Sequence, residues 1–431
     1  MPDLAQPATP SHPLADRLWL SGVVVLAATP AVMVIWRQVA PVAAAVIALL
    51  FVLATWNGGR GRALLRESRA LLTGRMGVLA MLAIAYMTAS LTWSLQPTRG
   101  AGHLQDAALT ALMVAVMIAA IRLGPPRVWP LALPLGLTFA AALLLANGYT
   151  GSALNDAIGR GDRPSHLNRA AVAVVLFLPL ALAILRARER RAWAAALALL
   201  AIVAVFGTES WAARLSLVAM VVLAPVALRW PLRTHRTALA GILLVVLLTP
   251  LAASHVNDLV PTPIHETLGY GSLTIRGEAW REYAALFWLQ PIQGFGLEGA
   301  HDPWSPLSAE AMRTTNPHLY AHASGLDPHQ RMLLGFFHPH NAPLQVWFEL
   351  GLIGAILAVA IIVAGFGLME RLPRALLPAA TLTATATFLI ACVGHGMWTA
   401  WWMCTWGLLI VAFHLAMADR RNDQTSPSTS R

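Results

Sequence analysis

Residues 338–368 read HPHNAPLQVWFELGLIGAILAVAIIVAGFGL, and this stretch decides what kind of chain carries it. After Asn341 come 27 residues with a single charged side chain, Glu349. As a helix rising about 1.5 Å per residue they are long enough to cross the roughly 30 Å hydrocarbon core of a bilayer. Asn341 is placed to cap the first free amides and Pro343 fits the first turn, so the helix is predicted to start there and to face back toward the polar residues that precede it. Its exposed amides and dipole attract an anion such as a phosphate and disfavour extra positive charge on His340. A neutral imidazole in that position is suited to act as a base.

Working outward, the same apolar character recurs near 18–35, 39–55, 76–92, 104–121, 128–146, 169–185, 192–206, 211–228, 237–253, 375–393 and 397–417. With 344–368 these give twelve candidate spans. A chain of 431 residues that is 57% hydrophobic and only 12% charged does not bury that surface in one water-soluble core. The fold class expected is therefore all-α, a polytopic membrane protein of about 12 transmembrane helices with a long polar loop containing short helices. The expected division is an N-terminal transmembrane bundle over 1–253, a large loop over 254–343, C-terminal transmembrane helices over 344–417 and a cytoplasmic tail over 418–431.

The net charge of +10 does not point to nucleic acid, because the basic residues fall in short clusters between apolar runs. With the N-terminus in the cytoplasm, Arg60, Arg62, Arg66, Arg69 and Arg75 lie inside, as do Arg186, Arg188, Arg190 and Arg191. Arg229, Arg233, Arg236, Arg371, Arg374, Arg420 and Arg421 lie there too, and the other face receives mostly isolated arginines such as Arg37 and Arg99. No cleavable signal peptide is read at the N-terminus, so the first span serves as an uncleaved anchor. Cys392 and Cys404 sit in apolar spans and read as packing residues.

This orientation puts residues 147–168 and 254–343 on the outer side, the periplasm of a bacterial inner membrane. The longer loop holds eight of the 14 histidines, which marks it as an external site. Within it, residues 276–288 have helical spacing with aromatic residues, among Trp280, Tyr283, Phe287 and Trp288, recurring on a face, expected along the membrane interface. Pro291, Gly294 and Gly296 follow, read either as a helix stop or as a place where backbone comes close to a ligand. His318, His322 and His329 carry a spacing compatible with zinc, but Pro317 and Pro328 interrupt it and no acidic or thiol partner completes the set, so no metal site is expected. Trp398, Trp401, Trp402 and Trp406 read as an interfacial belt.

For anion binding the chain has arginine alone, since it contains no lysine. Arg214, near the outer end of the eighth span, and Arg276 are the pair expected to clamp a pyrophosphate, because planar guanidiniums stay charged and bond phosphate oxygens in pairs. No Asp-x-Asp pattern supports a divalent cation, so a mechanism without metal or cofactor is expected. Supporting roles are assigned to His338 and Asn341 beside His340, and to Glu349 as a group that orients a histidine or an arginine. Arg163 and Arg169 in the shorter outer loop, with Arg160 and His166, form a second possible anion contact or a solvated cluster.

His340-Asn341, a nine-residue gap, Gly351 and Gly354 reproduce a signature of the O-antigen ligase and polymerase family of bacterial envelope glycosyltransferases. Arg276, Trp280, Pro291, Gly294 and Gly296 resemble the block that precedes it. Where relatives carry Ser-Arg or Thr-Arg, this sequence has Ser210-Trp211, with Arg214 one turn on. The resemblance implies a periplasmic histidine base, His340, and two arginines, Arg214 and Arg276, on the pyrophosphate of an undecaprenyl-linked donor. It implies transfer of O-antigen polysaccharide to lipid A-core, with inversion and without metal. An O-antigen polymerase or a protein O-oligosaccharyltransferase shares the donor chemistry, and a transporter of lipid-linked sugar or anions is the rival from another class.

Overall fold

The computed structural model describes residues 13–124, 131–159, 164–259, 273–301, 309, 312–314, 317–334 and 338–425, and the regular structure among them is helical. The helices are α1 Pro13–Ile35, α2 Val39–Asn57, α3 Gly61–Thr73, α4 Arg75–Ser90, α5 Pro97–Arg122, α6 Ala132–Tyr149, the single turn α7 Ala153–Ala157, α8 Asn168–Ala187 and α9 Arg191–Phe206. They continue as α10 Trp211–Arg229, α11 Pro231–Leu259, α12 Leu273–Phe287, α13 Pro317–Ser324, α14 Pro328–Leu334, α15 Ala342–Met369, α16 Leu377–Val393 and α17 Ala400–Thr425.

Each of the twelve apolar stretches overlaps a helix among the described residues. Among the described residues nine helices are long and apolar enough to cross a membrane, and the bent pair α3 and α4 makes a tenth if it forms one span. The other two, α9 and α16, are apolar but shorter. The molecule is a polytopic membrane protein.

By contacts the chain forms two compact units, each assembled from separated segments. The first comprises Met1–Thr73, Thr110–Thr208 and Cys404–Arg431. Its centre is α8, whose residues from Ala170 to Ala181 are all buried, which explains why that stretch lacks a polar face. Helices α1, α6 and α9 pack beside it, and α2 packs on α1, with Trp19 of α1 on Phe51 of α2 at 4.2 Å between ring centroids.

The second unit comprises Gly74–Leu109 and Glu209–Met403. Its core is aromatic: Trp280, Tyr283 and Phe287 of α12 meet Phe295, Trp347 and Phe348. Tyr283 stands edge-on to Phe348 at 5.1 Å, and Phe287 edge-on to Trp347 at 5.5 Å. The aromatic face of α12 therefore faces protein, where sequence alone put it along the membrane interface. The polar tips find partners there, since Tyr283 Oη donates to the Ala300 carbonyl at 2.8 Å and Trp347 Nε1 to the Val246 carbonyl at 2.7 Å.

Candidate active site

The helix start read from Asn341 is present. Asn341 is extended (φ −145°, ψ 101°) and its Oδ1 accepts from the Leu344 amide at 3.0 Å. Nine residues on, the helix breaks: Gly351 has φ 61° and ψ −158°, outside helical geometry. In an unbroken helix Leu352 N–H would bond Phe348 C=O, and Ile353 N–H would bond Glu349 C=O. The loop after α12 supplies replacements for all four groups. Phe295 N–H donates to Phe348 O at 2.9 Å and Gly296 N–H to Glu349 O at 2.7 Å, while Leu352 and Ile353 donate to Pro291 O and Ile292 O at 2.9 and 3.3 Å. The loop is spliced into the helix.

Glycine is required on both sides of the splice. A Cβ on Gly294 (φ 67°) would lie 2.5 Å from Glu349 C and O, and one on Gly351 would lie 2.4 Å from Ile292 O. Of the two readings of Pro291-x-x-Gly294-x-Gly296, close backbone approach is the one observed, but the backbone approached is α15. Tyr86 Oη donates across the seam to the carbonyls of Gln293 and Leu350, both at 3.2 Å.

At the other end of this nine-residue helical segment sits the histidine loop. Trp280 Nε1 donates to the Pro339 carbonyl at 2.6 Å, tying α12 to the loop. His340 has a left-handed backbone (φ 53°), and its N–H donates to His338 Nδ1 at 3.1 Å. The two rings lie 4.1 Å apart. His340 Nδ1 is 3.0 Å from the Gly394 carbonyl. A carbonyl only accepts, so Nδ1 carries the proton and the lone pair is on Nε2. Arg276 Nη1 donates to the preceding carbonyl, Val393 O, at 2.8 Å. The C-terminal end of α16 thus seats Arg276 and His340 side by side.

Electrostatics keep both histidines neutral. Burial pushes the His340 imidazole below its usual range and the Arg276 charge adds to this, opposed by the bond to Gly394. His338 is driven down to about 2, first by burial and then by His340, His395, His301 and Arg99. This fits its Nδ1, which must be an unprotonated acceptor to take the His340 amide. Burial also lowers the Arg276 guanidinium.

Arg214 lies in the first turn of α10, half-buried, with its guanidinium 5.1 Å over the Trp211 ring. This turn abuts the seat, because a Cβ on Gly394 would be 3.4 Å from Ala212 Cβ. Among the described residues, neither a histidine nor an arginine is a hydrogen-bond partner of Glu349. It is wholly buried and accepts from Gln345 Nε2 at 2.9 Å, Trp398 Nε1 at 2.6 Å and Ala300 N at 3.4 Å. Gln345 Oε1 in turn accepts from the Met397 amide at 2.9 Å, so α15 holds the 394–398 segment that seats the site. Gly396 lies under His338, where a Cβ would be 3.1 Å from the ring.

The tryptophan belt is corrected in part: Trp398, Trp401 and Trp402 are buried in protein. Trp398 is drawn in by the Glu349 carboxylate and Trp401 stacks edge-on with His395 at 4.7 Å. Arg169 lies in the first turn of α8, in the first unit, while Arg160 and Arg163 lie outside the described residues. His329 pairs with Glu278 of α12 at 3.1 Å, and the side chains of His318 and His322 fall outside the described set. Sequence reading passed over the Val393–Trp398 seat, whose signal is the Gly394-His395-Gly396 break in an apolar run. It also took Arg99 as isolated, whereas its Nε is 2.7 Å from Glu298 Oε2.

No curated protein matches the chain. The family model described as O-Antigen ligase matches residues 196–359, a span that takes in Arg214, Arg276, the splice and His340. Over this span the chain is similar to the O-antigen ligase family.

Proposed function

We propose that the protein is an O-antigen ligase that transfers finished polysaccharide from undecaprenyl pyrophosphate to a sugar hydroxyl of lipid A-core. The family match supports a ligase- or polymerase-type function in a multi-pass membrane protein. The observation that supports the chemistry of this reading is the seating of Arg276 and His340 on the successive carbonyls Val393 and Gly394. In this reading residues 254–343 form the periplasmic loop and the protein lies in the inner membrane.

The acceptor hydroxyl gives its proton to His340 Nε2 as its oxygen bonds the anomeric carbon of the donor. The bond from that carbon to the pyrophosphate oxygen breaks, and undecaprenyl pyrophosphate leaves with the electron pair. Attack opposite the leaving group inverts the centre. The departing oxygens gain negative charge, which Arg276 and Arg214 neutralise, so no general acid or metal is called for. The depressed His340 basicity keeps the base form present at neutral pH, and a positioned base contributes about 10²- to 10⁴-fold.

Purified protein with lipid-linked donor and lipid A-core tests this. His340→Ala and Arg276→Ala should each abolish joining of glycan to core while leaving membrane insertion intact, and a chelator should change nothing. Full activity of either variant, or activity that depends on added magnesium or zinc, refutes the mechanism. A lengthened donor glycan in place of joined core makes the protein a polymerase, and donor movement that survives His340→Ala makes it a transporter.

A further inference from the structure

We propose that Arg99, anchored by Glu298, is a receptor for an anionic substituent, a phosphate or carboxylate, on the acceptor glycan. This rests on the glycosyl transfer proposed above and adds a second anion site to it.

Arg99 stands in the first turn of α5 and shares a hydrogen-bonded pair with Glu298 that is unequally exposed. The Glu298 side chain is 8% exposed and that of Arg99 45%. The carboxylate is a fixed anchor that accepts from the guanidinium Nε at 2.7 Å, and the Nη groups are further donors of the same planar fork. Glu298 is held there by its backbone, which is left-handed (φ 63°), a conformation non-glycine residues keep only where the surroundings impose it. Those surroundings are the loop that splices α15. On its other side the loop is fastened to the α4–α5 junction, by Ser94 Oγ to Leu297 O at 2.6 Å and Leu297 N to Ser90 Oγ at 3.1 Å.

The pair is wired to the histidines through protein. Two residues past Glu298, the Ala300 amide meets Glu349, which holds Trp398, and Gln345 holds Met397 beside the Gly396 floor of His338. Arg276 is bonded at the Val393 end of the 393–398 seat, and Arg99 is tied to its Trp398 end through Glu298, Ala300 and Glu349. An inverting displacement places incoming oxygen and leaving pyrophosphate on opposite faces of the anomeric carbon. With Arg276 on the leaving side, the cation at the far end of the seat faces the acceptor.

The full chain in nanodiscs, without donor, is offered two synthetic oligosaccharide acceptors that differ by one phosphate monoester, with a carboxylated twin in parallel. Charge-assisted hydrogen bonds to one guanidinium correspond to an affinity gain of about tenfold or more. Wild type should bind an anionic twin tighter by at least that factor, Arg99→Gln should bring the affinities together, and Glu298→Gln, which keeps the cation but frees it, should give an intermediate ratio. Each ratio is read within one preparation, so a misfolded fraction cancels. Equal affinities in wild type, or a preference that survives Arg99→Gln, overturns the proposal. So does a rise in donor KM in Arg99→Gln with the acceptor preference intact, which assigns Arg99 to the donor. The binding ratio needs no turnover, so absence of transfer by wild type counts against the proposed function alone.

Discussion

Replacing Gly351 with alanine should disable transfer although the residue touches neither substrate in the proposed mechanism. The new Cβ would sit 2.4 Å from Ile292 O, and φ 61° with ψ −158° is a conformation that glycine alone adopts cheaply. Either the loop withdraws or the backbone of α15 rotates, and both sever the four hydrogen bonds that bridge the break. At about 1 kcal/mol net each, and more for any group left buried and unpaired, the loss is about 4 kcal/mol. Because the loop carries Glu298 and Ala300, and α15 carries Gln345 and Glu349, the disturbance reaches the seat of His340. Turnover should fall at least 100-fold, and hydrogen exchange should show Phe295, Gly296, Leu352 and Ile353 amides losing protection. Gly294→Ala breaks the same seam, so the double variant should lose little more than either single one. Near-normal turnover in Gly351→Ala with the four amides still protected refutes the reasoning.

The pH dependence follows from the sign of the His340 shift. The neutral form is the base, and burial with Arg276 lowers its pKa, so the rate should be flat at neutral pH and fall only below the usual histidine range. Arg276→Gln removes the charge that adds to burial in lowering His340, and the acid limb of its residual activity should move to higher pH; a limb that stays in place or moves lower contradicts the assignment. His338→Ala removes the acceptor of the His340 amide and should cut kcat by about tenfold with little change in donor KM, while His338→Asn, which restores an acceptor, should recover part of it. An unchanged kcat in His338→Ala would show that the left-handed turn at His340 holds without that bond.

What sequence made legible is what local physics controls. Apolar runs of membrane length became helices, and Asn341 with Pro343 marked a helix start, because hydropathy and capping act over a few residues. The partners of the reactive groups are non-local and often backbone. The carbonyls of Val393 and Gly394 seat Arg276 and His340, and any sequence offers carbonyls. Arg99 looked isolated because Glu298 is 199 positions away. Trp398 looked like a lipid anchor because composition does not reveal a carboxylate waiting for an indole N–H, which Glu349 supplies from another helix.

The fixed gap between His340 and Gly351 has a physical reading in these terms. The segment from Ala342 to Leu350 is a rigid rod with the base at one end and the splice at the other. Its ends are clamped independently, by Trp280 and Gly394 at the histidine and by Pro291 to Gly296 at the break. One extra residue would turn His340 by about 100° and move it about 1.5 Å relative to the splice, taking Nδ1 away from the Gly394 carbonyl. Four extra residues nearly restore the rotation but add about 6 Å of length, so rotation and translation are not satisfied together at any other short spacing. Single-alanine and four-residue insertions between Val346 and Phe348 should therefore both abolish transfer, whereas the volume-conserving swap Leu350→Met should be tolerated. Activity in either insertion would mean that the rod is not what positions the imidazole.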